Sequence, residues 1–150
     1  MRVSAKTDYA LRAMVELAAA NGDAPIKGER LATSQAIPLR FLENILLQLR
    51  HAGLVDSRRG AEGGYRLARP AAEISLAEII RVIDGPLANV RGQRPENVGY
   101  LGAAEALQDV WIALRASERQ ILELVTVADV AGGDLPDRVR ELAADPRAWV

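Results

Sequence analysis

The chain has 150 residues, 49% of them hydrophobic and 26% charged, with a formal net charge of -1 and no cysteine. That length and apolar content suit one compact domain with an appended oligomerisation element and leave too little chain for two independent cores. The missing cysteines exclude disulfides, zinc–thiolate sites and cysteine-held iron–sulfur clusters. No run of about 18 apolar residues offers a helical membrane span, and MRVSAKTDYALRAM holds no signal-type apolar stretch, so a cytoplasmic protein is expected.

The charge is unevenly placed. Residues 1–70 carry 11 Lys+Arg against 7 Asp+Glu, whereas residues 71–150 carry 8 against 13. A basic first half is suited to phosphates, and an acidic second half to solvent or another copy of the chain.

In chain order, Leu11, Met14, Val15 and Ala18 recur at helical spacing, which predicts an amphipathic helix stopped by Asn21-Gly22. A short helix is expected over 27–35, ending near Ala36-Ile37-Pro38, and proline is tolerated in the first turn of the helix that follows over 38–51. In that third helix Phe41, Leu42, Ile45, Leu46 and Leu49 form a buried side, and Arg40, Glu43, Asn44, Leu47 and His51 the other. Gly53 ends it. Strands over 54–58 and 65–69 then flank the turn RGAEGG, whose glycines accept positive φ. Two short helices, a tight connection and a hairpin predict a winged helix-turn-helix.

Ser75, with Glu78 three residues on, reads as a capping box opening a helix whose stripe is Leu76, Ile79, Ile80 and Ile83, stopped by Gly85-Pro86. Residues 86–102 show no periodicity and form a candidate regulatory loop. From 103 to 131 a single long helix is expected, with Leu107, Val110, Trp111, Leu114, Ile121, Leu122, Leu124, Val125 and Ala128 covering more than one face. One small winged domain cannot cover that surface, so a partner helix from a second subunit is expected. Residues 132–150 form a peripheral tail with one short helix before Asp145-Pro146. The fold class is therefore mainly α with a small β-hairpin. It divides into a DNA-binding domain (1–85), a loop (86–102), a dimerisation helix (103–131) and a tail (132–150).

The third helix carries the chemistry. A helix in the major groove needs hydrogen-bonding groups on one exposed side: arginine pairs with guanine, asparagine with adenine, and glutamate accepts from cytosine. Arg40, Glu43 and Asn44 supply these, and Leu47 is placed to touch a thymine methyl or a protein neighbour. Arg58 and Arg59 on the wing are placed for phosphates or a narrow minor groove. An ordinary solvated helix and hairpin would carry similar charges; the ordered combination favours DNA. His51, the only histidine, reads as a helix-end residue beside the dipole. GAEGG is not GxxxxGK[ST], no GxGxxG follows a strand, and no triad is indicated, so an enzyme is not expected. Asp134, Asp137 and Glu141 read as solubilising residues. Neither metal nor cofactor is expected.

KTDYALRAM, IPLRFLENILLQLRHAGLVDSRRGAEGGYRLARP and ISLAEIIRVIDG together resemble the Rrf2 family of bacterial transcription regulators over about residues 1–130. The resemblance implies a homodimer with crossed long helices on a partly palindromic duplex site, bases read at Arg40, Glu43 and Asn44, and Arg59 in the minor groove, with Arg58 as its neighbour. Cluster-binding members carry three cysteines in or just after the loop; this chain has none, and Asp8 and Arg12, near where some members recruit other ligands, do not replace thiolates. A repressor is expected. Its control is open between a small-molecule effector pocket built from Arg91, Arg94, Tyr100 and Trp111, a bound partner protein, and abundance alone. A protein-interaction scaffold with a degenerate winged domain is the alternative function.

Overall fold

A computed structural model describes residues 1–20 and 24–149. The first helix, α1 (Ala5–Ala19), starts where Ser4 leaves helical geometry and its Oγ accepts the Thr7 N–H at 3.1 Å. The expected stop at Asn21-Gly22 lies outside the described residues. The expected stripe is displaced: Ala10, Ala13, Met14 and Leu17 are buried, whereas Leu11, Val15 and Ala18 are partly exposed. Leu11 still packs against both apolar clusters, because α1 sits between several elements and is covered on more than one side.

α2 (Gly28–Gln35) ends as Ala36 turns left-handed at φ 51° and the Ile37 N–H returns to the Ala32 carbonyl at 2.9 Å. Pro38 then precedes α3 (Leu39–His51), where Leu42, Ile45, Leu46 and Leu49 are buried. Each contributes roughly 1.5–3 kcal/mol by leaving water. Phe41 departs from expectation, being 64% exposed. One residue is 100° of rotation on a helix, which carries Phe41 past the core-facing stripe to the α1 side.

β1 (Val55–Arg58) and β2 (Gly64–Leu67) pair antiparallel from Val55↔Leu67 to Arg58↔Gly64. Ile26 adds a bridge to Tyr65, with backbone bonds of 2.8 and 2.7 Å. That close approach is why residue 64 is glycine: its φ is 143°, and an added Cβ would lie 2.5 Å from the Ile26 carbonyl group.

α4 (Leu76–Asp84) is capped by Ser75, whose Oγ accepts the Glu78 N–H at 3.2 Å. The capping box is incomplete, because the Glu78 carboxylate instead accepts from Arg69 at 2.5 Å. At the other end Asp84 accepts from Ser4 Oγ and, at 2.5 Å, from Thr7 Oγ1, latching α4 to the start of α1. The 86–102 segment has local order: Val90 and Gln93 pair, Pro95–Asn97 form a 3-10 turn, and Leu87 and Val98 are buried.

The single helix expected over 103–131 is two. α5 (Leu107–Leu122) ends and α6 (Val127–Gly132) begins after a short extended link. In the link Val125 O accepts the Leu76 N–H at 2.9 Å, and the Val127 N–H donates to Ile74 O at 3.0 Å. Thr126 and Asp129 form a reciprocal capping box that restarts the helix. Thus α6 packs on α1, while α5 runs beside α4 and the Pro95–Asn97 turn. The final helix, α7 (Asp137–Ala144), lies exposed, with Arg140 held by Asp137 at 2.5 Å and Asp134 at 3.2 Å.

Candidate nucleic-acid interface

α2, its tight turn and α3 set the second helix of a helix-turn-helix against solvent, and the hairpin stands beside it. Arg40, Glu43, Asn44 and Leu47 are all exposed on α3, as are Arg58 and Arg59 on the wing. Among the described residues Arg40, Glu43, Arg58 and Arg59 make no ion pair within the chain. Asn44 is oriented: its Oδ1 accepts from Gln48 Nε2 at 2.8 Å, which leaves its amide N–H groups free to donate.

These side chains divide between two grooves on either side of α3. Glu43 shares a cavity of about 340 Å³ with Arg50, Lys27, Arg58 and Arg59. Arg40 and Asn44 face a larger groove, about 770 Å³, with Phe41 and with Lys6 and Tyr9 from α1. Sequence reasoning missed Lys6, Tyr9, Lys27 and Arg50. Lys27 carried a signal, since it sits where the chain enters α2; its Nζ donates to Gly60 O at 2.7 Å and holds the wing tip. Arg50 donates to Ser57 Oγ at 3.0 Å, fixing the end of α3 to β1. His51 lies exposed at the end of α3, where a basic residue suits the helix dipole.

Asp8 and Arg12 serve the scaffold. Arg12 pairs with Asp8 at 3.0 Å, donates to Gln35 O at 2.6 Å and lies over the Tyr9 ring at 5.0 Å, so α1 holds the end of α2.

The four expected effector residues lie on the 86–102 segment and α5. Trp111 Nε1 donates to Tyr100 Oη at 2.8 Å, so these two meet, partly buried. Arg91 is exposed at a left-handed backbone position. Arg94 lines a cleft with Arg81, Arg115 and Arg119. There Glu123 accepts from Arg81 and, at 2.9 Å, from Arg119, and these bonds hold its carboxyl below the usual glutamate range. Glu96 is likewise lowered, first by a backbone hydrogen bond of its own and also by Arg115 at 2.5 Å.

A helix-turn-helix with an outward polar helix and an arginine-bearing wing defines a DNA-binding transcription regulator of winged-helix type. The Rrf2 model, described as an iron-dependent transcriptional regulator, matches residues 3–133, and the chain belongs to the Rrf2 family. Rv1287 of Mycobacterium tuberculosis, provisionally named an HTH-type transcriptional regulator, is 55% identical over 99% of this chain and 92% of its own length. The solved structure of CymR, the global cysteine regulator of B. subtilis, is 33% identical and aligns with a TM-score of 0.75 over 88% of this chain and 97% of its own. That of IscR from T. potens is 30% identical, with a TM-score of 0.72 over 100% and 97%.

The iron in the family's description does not fit the residues present. An iron–sulfur cluster takes soft thiolate ligands, and the chain has no cysteine. Among the described residues no three His, Asp or Glu side chains gather as a metal site. The described residues also include no helix long and apolar enough to cross a membrane.

Proposed function

We propose that the protein is a homodimeric repressor that binds a partly palindromic duplex site through α3 and the wing. The observation that carries this reading is that Arg40, Glu43 and Asn44 are exposed on α3 with Arg58 and Arg59 exposed alongside, and that among the described residues none of the four arginine and glutamate side chains of this set is ion-paired. Arg40, Glu43 and Asn44 read base edges in the major groove, and Arg58 and Arg59 hold phosphates or enter the adjoining minor groove.

The dimer is supported by α5. Its one buried side chain is Glu118, whose carboxylate faces the Met1 ammonium at 3.7 Å and accepts no hydrogen bond among the described residues, whereas Leu107, Val110, Ile112 and Leu114 are exposed. A second α5 would cover that apolar surface, and two-fold symmetry would place the two α3 helices on half-sites about one turn apart. Repression follows from occupancy, since a dimer across such a site blocks access to the duplex.

The test is selection from random duplex DNA at about 0.15 M salt, with sequencing of the retained fraction. A two-fold motif, and lowered output from a reporter carrying it, are expected. No enrichment from folded protein would overturn the DNA reading, an unpaired half-site the dimer, and raised output repression.

A further inference from the structure

Arg81 of α4, Arg94 of the 86–102 segment, and Arg115 and Arg119 of α5 converge on a cleft of about 510 Å³ floored by Gly85, Pro86 and Leu87. Among the described residues Glu96 and Glu123 are the acids of this lining, so it carries two positive charges beyond its own pairing. Arg94 is the least engaged: it is 62% exposed, and its Glu96 contact is 3.9 Å long. Planar guanidinium groups bind carboxylates and phosphates by paired hydrogen bonds, and a cleft of this volume admits a small organic molecule.

We propose that this cleft is an effector site for a small dianion, a phosphate ester or a dicarboxylate, whose binding alters affinity for DNA. The regulatory part rests on the DNA-binding reading; the binding part does not. The ligand competes with Glu123 for Arg81 and Arg119 and is held also by Arg94. Arg81 belongs to the winged domain and Arg119 to α5, so a bound dianion bridges the two and sets the angle between them. The effect reaches the wing through α4, where Glu78, one turn before Arg81, accepts from Arg69 just beyond β2.

The experiment is calorimetric titration of the full-length protein, without DNA, using inorganic phosphate, adenosine 5′-phosphate and malate, with adenosine and matched chloride as controls. Saturable binding of at least one dianion and not of adenosine is expected. Arg94→Ala and Arg119→Ala should each weaken it by about tenfold, the size of one lost charged hydrogen bond. Glu123→Gln should tighten it, because a competing carboxylate has gone, whereas a merely structural ion-pair network predicts no gain. Preference for the phosphates or for malate identifies the ligand class. No saturable binding, or equal affinities in wild type and variants, overturns the site. Duplex affinity is then measured with and without the bound dianion, and a change of about fivefold is expected. Dianion binding with unchanged duplex affinity overturns the regulatory role, and loss of all duplex binding counts against the proposed function and leaves the calorimetric result standing.

Discussion

Arg59 at the wing turn and Arg69 just beyond β2 carry the same charge, yet removing them should have different consequences. Arg59 is exposed and has no ionic partner among the described residues, whereas Arg69 is bound to Glu78 at 2.5 Å. Arg59→Ala should leave stability within about 0.5 kcal/mol of wild type, as for an ordinary surface change. In the proposed dimer it removes one phosphate contact from each protomer. Each contact contributes about 0.9 to the slope of log affinity against log salt, so the slope should fall by about 1.8. The ratio of wild-type to variant affinity should then shrink by about sevenfold between about 0.05 and 0.15 M salt. Arg69→Ala should leave the slope near its wild-type value and cost about 0.2–1 kcal/mol, the range for an exposed pair. Fluorescence anisotropy on the selected duplex across a salt series measures the slopes, and denaturant unfolding the stabilities. Equal slopes for Arg59→Ala and wild type, or a slope change for Arg69→Ala as large as that for Arg59→Ala, would refute the assignment of these two charges.

Gly64→Ala should destabilise the protein by about 1–3 kcal/mol and weaken DNA binding, because its Cβ meets the Ile26 backbone at 2.5 Å; an unchanged thermal midpoint would contradict the close packing of the wing. Val110→Asp alters a side chain that is 53% exposed in the single chain, so it should leave helicity intact while shifting sedimentation toward monomer. A dimer that survives would show that α5 pairs through another face. Glu123 is held below the ordinary glutamate range chiefly by Arg81 and then by Arg119, so its folded-state titration lies below that of the unfolded chain. Its stabilisation is therefore present above about pH 5 and lost as pH falls through the folded value. The stability gap between wild type and Glu123→Gln should close as pH is taken below the ordinary glutamate range, and a constant gap would refute the linkage.

The winged unit was legible because its signals are local. Pro38 and Gly53 bracket α3, its apolar residues repeat at helical spacing, and the glycines of the wing announce a turn. The break between α5 and α6 was hidden because Leu122, Leu124, Val125 and Ala128 continue an apolar pattern through it. The local sign was Thr126 with Asp129 three residues later. What decides the matter is backbone pairing to Ile74 and Leu76, a contact about fifty residues distant that spacing does not reveal. The arginine cleft was obscured for the same reason: Arg81 and Glu123 stand 42 positions apart, and only packing of α4 beside α5 joins them. Phe41 was misplaced because a helical stripe has edges, and which neighbour reaches an edge depends on α1.

The link between α5 and α6 makes α5 a lever arm. Its root is held by two backbone bonds and the Thr126 cap, its far end carries the 86–102 segment through Gln108, which donates to the Glu96 carbonyl at 3.2 Å, and it spans about 24 Å at 1.5 Å per residue. A tilt of about 5° at the root displaces the far end, and the segment bonded to it, by about 2 Å over that length. In a two-fold pair joined along these arms the displacement is mirrored, so a small angular change at the root becomes a mismatch in spacing between two recognition helices and a duplex of fixed pitch.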